Sequence, residues 1–215
     1  MFLLLLLLWP LGLFLLLNLL LLPLQFTAFT LANMITIPRQ IYEIAVNPRL
    51  RANHALEHAT INVLEEHYGP LGLAGLARDD GFLIRGPADP AAIEEAARVG
   101  LARLQRGETG LAVHDRCGTS IAAANFLASV LFLVLLLQTG RFTVLNILIA
   151  MLFANLTGPV LGRLVQKFFT TSVRVGEMVI DRVEYGSEPL AFFGMRVYRR
   201  PTDFFVRTRR LRTVY

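Results

Sequence analysis

Residues 53–66 read NHALEHATINVLEE, and the rest of the chain has to be built around the helix they spell. Asn47-Pro48 offers an N-cap and a first-turn proline. The interior is rich in Ala, Leu and Glu, and Tyr68-Gly69-Pro70 ends it. At about 100° per residue, His54, His58 and Glu65 fall within roughly 40° of one another, with Glu57 at the edge of that face. Two imidazoles one turn apart with a carboxylate above them can hold a divalent metal. A second stretch, His114-Asp115-Arg116-Cys117-Gly118-Thr119, adds another imidazole and the only thiol. Zinc prefers nitrogen and sulfur donors, so His54, His58, Glu65, His114 and Cys117 form the candidate ligand set for zinc or another divalent metal. The plain alternative is a pair of surface histidines, a capping histidine and a buried cysteine.

His54-Ala-Leu-Glu57-His58 resembles the inverted zincin motif H-x-x-E-H, which implies two zinc-binding histidines and Glu57 as general base. The two stretches together resemble the YqhQ-like family of uncharacterised bacterial membrane proteins. The shared residues are His54, Glu57, His58, Thr60, Ile61 and Glu65, then His114, Arg116, Cys117, Gly118, Thr119 and Ser120. Ala55-Leu56, Ala59 and Asp115 depart from that pattern, which has Gly-Ala, Lys and Pro there. HALEHATI followed by H-x-x-C-G-T is more similar still to short cyanobacterial-type membrane proteins of unknown function. These resemblances imply a shared site and no particular reaction.

The surroundings of this site are apolar. Of the 215 residues, 54% are hydrophobic, and runs of membrane-spanning length account for the excess. One cysteine excludes an intramolecular disulfide, so nothing asks for an oxidising compartment. Residues 2–22 are almost unbroken Leu and read as a first transmembrane helix. They lack the basic start and short apolar core of a signal peptide. Pro23 should end or kink this helix, and the apolar but Thr- and Asn-containing stretch 24–37 reads as a tilted extension or interfacial elbow. Residues 120–137 and 142–165 read as two more spans, joined by a tight turn at Gln138–Arg141 and capped at Thr119 or Ser120.

Charge sets the orientation. Arg39 is the first cation, and Arg49 and Arg51 follow closely, which places the N-terminus outside and the polar segment in the cytoplasm. Within that segment, Asp79-Asp80-Gly81 between short apolar runs predicts a β-hairpin, and Asp89-Pro90 caps a helix over 91–106. Residues 111–114 read as a short strand that delivers His114. From Gln166 onward ten Lys or Arg face five acids, with strands expected over 173–185 and 192–198 and turns at Gly186-Ser187 and Arg200-Pro201. Directly after a membrane hairpin, such a basic tail reads as positive-inside retention and contact with anionic headgroups, not as a nucleic-acid site.

The expected architecture is therefore an α-helical membrane protein with three transmembrane helices, a small cytoplasmic α+β unit and a basic, β-rich C-terminal tail. The expected divisions are 1–38 (first span and elbow), 39–119 (the unit with the metal site), 120–165 (the membrane hairpin) and 166–215 (the tail). Its expected place is the cytoplasmic membrane of a bacterium. The chemistry favours a zinc peptidase acting on a peptide or membrane-protein substrate, with His54 and His58 as two ligands and either Glu65 or His114 as the third. Glu57 would be the base and Arg116 an oxyanion partner, aided by the N–H groups of Gly118 and Thr119. A structural site closed by His54, His58, His114 and Cys117, in a scaffold or accessory protein, is the rival. The bilayer is the expected partner, and homo-oligomer formation fits apolar spans with few polar residues.

Overall fold

In the computed structural model the described residues are 2–141, 143–185, 189–192, 195–198 and 202–211. A long helix α1 (Phe2–Ala45) leads into α2 (Pro48–Tyr68), a hairpin of β1 (Ala74–Arg78) and β2 (Gly81–Arg85), and α3 (Pro90–Gln105). Two apolar helices follow, α4 (Gly118–Thr139) and α5 (Val144–Val165), the latter ending in a π turn over Gln166–Thr170. The chain then returns as β3 (Met178–Tyr185), a small hairpin of β4 (Pro189–Phe192) and β5 (Met195–Tyr198), and β6 (Asp203–Arg210).

Local chemistry explains the ends of α2. The Asn47 side chain accepts from the N–H groups of Arg49 and Leu50 at 3.1 and 3.2 Å, and Pro48 sits where its missing N–H costs nothing. Gly69, at φ +74°, closes the C-terminus. Twelve of its residues are buried, from Ala52 through Leu64, because α2 lies between the sheet, α3 and the membrane helices. The backbone of α3 comes close at Gly100, where any Cβ would press on Ala59.

The sheet joins segments far apart in sequence. Its order is β1-β2-β6-β3, all antiparallel, so the basic tail inserts its last strand between β2 and β3. Phe82 and Ile84 of β2 and Phe204 and Val206 of β6 turn one face onto Leu56, Ile61, Leu64 and Ile93 of the helices. Asn53, buried on α2, locks the register by donating to the carbonyls of Arg78 and Asp79 while accepting from the Thr208 hydroxyl at 2.7 Å. Residues 39–119 and the tail therefore share one core. The strand expected over 192–198 is instead the β4–β5 pair, and that over 173–185 begins at Met178. The expected turns at Gly186-Ser187 and Arg200-Pro201 lie outside the described residues.

Residues 111–114 are not a strand. Thr109–Ala112 forms a 3-10 turn, and the reason is visible in its carbonyls. Asn62 donates to Leu111 O and Val113 O, and His58 donates to Ala112 O, so the segment serves α2 instead of a sheet edge.

Among the described residues, α4 and the continuous stretch Val144–Thr170 are long and apolar enough to cross a membrane. The two halves of α1, Leu8–Leu22 and Leu24–Ala45, form a bent pair that makes a third such element if counted together. The bend is 44° and falls at Pro23, but the helix continues through it. The later half, expected as a tilted extension or an elbow, is packed against α4. Phe26 meets Phe132 edge-on at 4.9 Å, and Asn33 donates to the Ser129 hydroxyl at 3.5 Å. Between α4 and α5 the contact runs through small residues. Gly158 faces Ala124 and Gly162 faces Ser120, with no room for a Cβ at either glycine. The cap of α4 is Cys117, whose sulfur accepts from Thr119 N–H at 3.3 Å, and not Thr119 or Ser120 as expected.

Candidate metal centre

Helix α2 carries His54, Glu57 and His58 into the protein interior, where each is less than a tenth exposed. The orientation of each imidazole is fixed by a group on another element. His54 Nδ1–H donates to Thr170 O at 3.0 Å, at the end of the π turn. His58 Nδ1–H donates to Ala112 O at 2.8 Å, in the 3-10 turn. Carbonyls only accept, so both rings carry their proton on Nδ1 and present a bare Nε2. His114 repeats the pattern. Its Nδ1–H donates to Asn62 Oδ1 at 2.9 Å, because the Asn62 amide N–H groups are already spent on Leu111 O and Val113 O.

The bare nitrogens converge on sulfur. One donor atom from each of His54, His58 and Cys117 lies within 4.8 Å of the other two. The Cys117 S–H donates to His54 Nε2 at 3.3 Å, and the two α2 rings stand 4.3 Å apart. His58 Nε2 is buried with no hydrogen-bond partner among the described residues. A buried polar atom without a partner costs free energy that native proteins rarely leave uncompensated. A cation held between the three donors would satisfy it, and N,N,S is a zinc-type donor set with Nδ1 carbonyl bonds of the kind that orient metal ligands. The residues fit a metal.

Electrostatics prepare the imidazoles for a metal, while the thiol must give up its proton to bind one. Burial holds His54 below the usual imidazole range and His58 well below it, with His54 nearby adding to the effect. His114 is also lowered, chiefly by burial. All three are neutral near pH 7 and need lose no proton to bind a cation. Burial pushes the Cys117 thiol up, against the pull of Thr119. Glu57 is pushed up to about 8 by burial, opposed by a backbone N–H from Ala77, so its carboxyl is protonated at neutral pH. Its room comes from Gly75, where any Cβ would collide with the Glu57 carboxyl.

A cavity of about 340 Å³ opens beside this cluster, lined by His54, Glu57, Gly75, Cys117, Gly118 and Thr119. Apart from Gln40 its other walls are apolar, with Ile41 and Ile44 from α1, Leu76 from β1 and Ala122 from α4. Three expected site residues stand elsewhere. Glu65 pairs with the exposed Arg116 at 3.8 Å, and both act electrostatically on His114, not on the cluster. His114 lies behind His58, with ring centroids 6.1 Å apart, outside the three-donor group. The structure thus brings together His54, His58, Cys117 and Glu57, and sets His114, Glu65 and Arg116 beside them.

Residues that the motifs did not single out hold the site. Gln166, fully buried, accepts from His114 N–H at 2.9 Å and donates to His114 O at 3.0 Å and the Ser120 hydroxyl at 2.6 Å. Arg51 donates to Thr171 O and Phe168 O, tying α2 to the π turn that carries the Thr170 carbonyl. Asn62 had a signal, one turn after His58 on the same face; Gln166 had none.

Two helices of membrane-crossing length beside a small antiparallel sheet, with a buried His-His-Cys cluster, define a membrane protein with a candidate metal centre. The chain belongs to the family described as Domain of unknown function (DUF6391), whose model matches residues 49–183, more than half of its length and the whole site. It is also 35% identical over 91 residues to an uncharacterized protein of Picosynechococcus sp. strain PCC 7002. That alignment covers 37% of this chain and 43% of the relative, so the chain spans less than half of that protein's length. No solved structure matches it.

Proposed function

We propose that this protein is a membrane-embedded metal-dependent hydrolase, with His54, His58 and Cys117 holding zinc or a similar divalent metal and Glu57 as the base. The carrying observation is the unpartnered His58 Nε2, in a three-donor group whose His54 and Cys117 share a mostly apolar cavity with Glu57. Three protein ligands leave a fourth tetrahedral position, the arrangement of catalytic rather than structural zinc. When bound, the metal supplies Lewis acidity and makes water a nucleophile near neutral pH.

The chain's own groups do the rest. Glu57 loses its proton more readily beside a divalent charge. It then accepts one from the water that attacks a carbonyl in the cavity and returns it to the leaving amine. Gly118 lines the cavity, and its N–H, the first of α4 and without an intrahelical acceptor, would serve the developing oxyanion. Arg116, outside the cavity, has no part in this mechanism. The walls from α1 and α4 favour an apolar peptide or membrane-protein segment arriving at the membrane boundary.

The wider reading is a third span from α1, the N-terminus outside, and the sheet and C-terminus in the cytoplasm of a bacterium. Homo-oligomer formation in the bilayer remains part of it. So do the resemblance to inverted zincins, which rests on His54, Glu57 and His58, and that to YqhQ-like proteins, which rests on the two motif stretches around His54–Glu65 and His114–Ser120.

A closed structural site is the second reading. It draws on the complete burial of His58 and on His114 lying 6.1 Å from it, and needs only His114 to swing inward. Glu57→Gln separates the two. With purified protein in detergent and a quenched apolar peptide library, the hydrolase retains its metal and loses cleavage. Loss of metal, with no cleavage by the wild type, points to the structural site.

A further inference from the structure

A second cavity among the described residues is larger than the one beside the metal centre. It measures about 1150 Å³ and lies between the end of α5, the 3-10 turn and the start and end of the sheet strands. Five cations line it, Arg51, Arg163, Lys167, Arg174 and Arg210, against one acid, Glu177. Two of the five are engaged. Arg51 is committed to the carbonyls of Phe168 and Thr171, and Arg163 pairs with Asp115 at 3.1 Å. Lys167, Arg174 and Arg210 are exposed and have no ion-pair partner among the described residues. Lys167 has only the Phe168 ring, at 5.7 Å.

Three unpaired cations around one hollow repel each other, and a single carboxylate does not balance them. The arrangement suits an anion with several oxygens. The position of the cavity says which kind. Its wall is the end of a membrane-length helix, through Arg163, Leu164 and Lys167. Next to that wall α5 presents apolar surface, with Leu156, Val160 and Leu164 exposed, and Phe168 and Phe169 of the π turn are exposed as well. An amphiphile could place its charged head among the cations and its chains along α5. The volume exceeds that of ordinary small-molecule sites and leaves room for a phosphate with its glycerol.

We propose that this cavity binds the phosphate headgroup of an anionic phospholipid. The ligand is an anionic phosphodiester, and the acyl chains lie outside the cavity against α5. The site is separate from the metal centre and does not depend on it, although Ala112, which orients His58, and Thr171, next to the carbonyl that orients His54, belong to its wall.

The test uses the full chain in a neutral detergent, offered equimolar phosphatidylglycerol and phosphatidylcholine, with retained lipid counted by native mass spectrometry. Three forms are compared: wild type, Lys167→Gln/Arg174→Gln/Arg210→Gln, and a charge-matched control, Arg85→Gln/Arg98→Gln/Arg106→Gln, whose residues do not line the cavity. The proposal expects wild type and control to retain phosphatidylglycerol over phosphatidylcholine, and the cavity variant to lose at least about tenfold of that retention. Lys167→Arg/Arg174→Lys/Arg210→Lys should restore it, which separates lost charge from lost fold. Equal retention by wild type and cavity variant, or equal loss in the control, overturns the proposal. Displacement of the lipid by 10 mM inorganic phosphate would assign the site to free phosphate instead. Stronger retention of a short oligonucleotide than of phosphatidylglycerol would also overturn it.

Discussion

The Cys117 thiol lies 3.3 Å from His54 Nε2, so the residue that caps α4 closes a site on a helix 63 residues earlier. Sulfur and nitrogen this close, beside an unpartnered His58 Nε2, tie the membrane hairpin to α2 through a group that a cation would complete.

Metal should therefore stabilise the fold. A ligand present at 100 times its dissociation constant adds about 2.7 kcal/mol, or roughly 5–10 °C in Tm for a chain of this size. Zinc added to chelator-treated protein should raise the melting temperature by that much in wild type and by nothing in His58→Ala. An equal shift in both would place the bound ion elsewhere.

Gly75 and Glu57 should behave as one unit. In Gly75→Ala the new methyl group displaces the Glu57 carboxyl, which costs about 1–3 kcal/mol. In a Glu57→Ala background the same change should cost almost nothing, a coupling that a double-mutant cycle measures. Gly110→Ala, with open space around it, is the control. Additive effects at residues 57 and 75 would contradict this packing.

Gln166→Leu keeps the volume of the side chain and removes three hydrogen bonds. It strands His114 N–H, His114 O and the Ser120 hydroxyl in a buried setting, so a loss of about 2–4 kcal/mol is expected by thermal or chemical denaturation. Metal affinity should fall with it, because the loop from His114 to Cys117 loses its clamp. An unchanged melting temperature would remove Gln166 from the account.

Acid should loosen the sheet before the helices. Arg207 and then Arg182 hold Glu184 below the usual carboxylate range, and Arg85 does the same for Asp203. A depressed folded-state pKa gives stability that is full above the unfolded pKa, about 4–4.5, and is lost as pH falls through the lower folded value. Hydrogen exchange in β6, corrected for intrinsic rates, should rise below about pH 4. Glu184→Gln should raise it at neutral pH and flatten the acid response.

Much of this was legible locally. Asn47 and Gly69 mark the ends of α2, Asp89 marks the start of α3, and Asp79-Asp80 marks the β1–β2 turn, because caps and turns are decided by neighbours in sequence. His54, His58 and Cys117 were among the expected ligands, on a helical repeat and a thiol with few competitors. The insertion of β6 was not legible. Arg85 and Asp203 pair across 118 residues, with two membrane-length helices between, and nothing in either strand names its partner. The third ligand expected of the catalytic site was Glu65 or His114, and the donor that lies close enough is Cys117, a matter of distance, not type. Helical phase placed Glu65 over the histidines, but its two-turn rise carried it to Arg116. Residues 111–114 looked like a strand because alternation cannot reveal that their carbonyls are claimed by Asn62 and His58.

The central claim is a metal held by His54, His58 and Cys117 beside Glu57. Elemental analysis of detergent-purified wild type, His58→Ala and Glu57→Gln tests it most directly. The account predicts one divalent metal per chain in wild type and Glu57→Gln, and none in His58→Ala. A wild type that stays metal-free after zinc is added and the excess dialysed away, or a His58→Ala that keeps its metal, would contradict it.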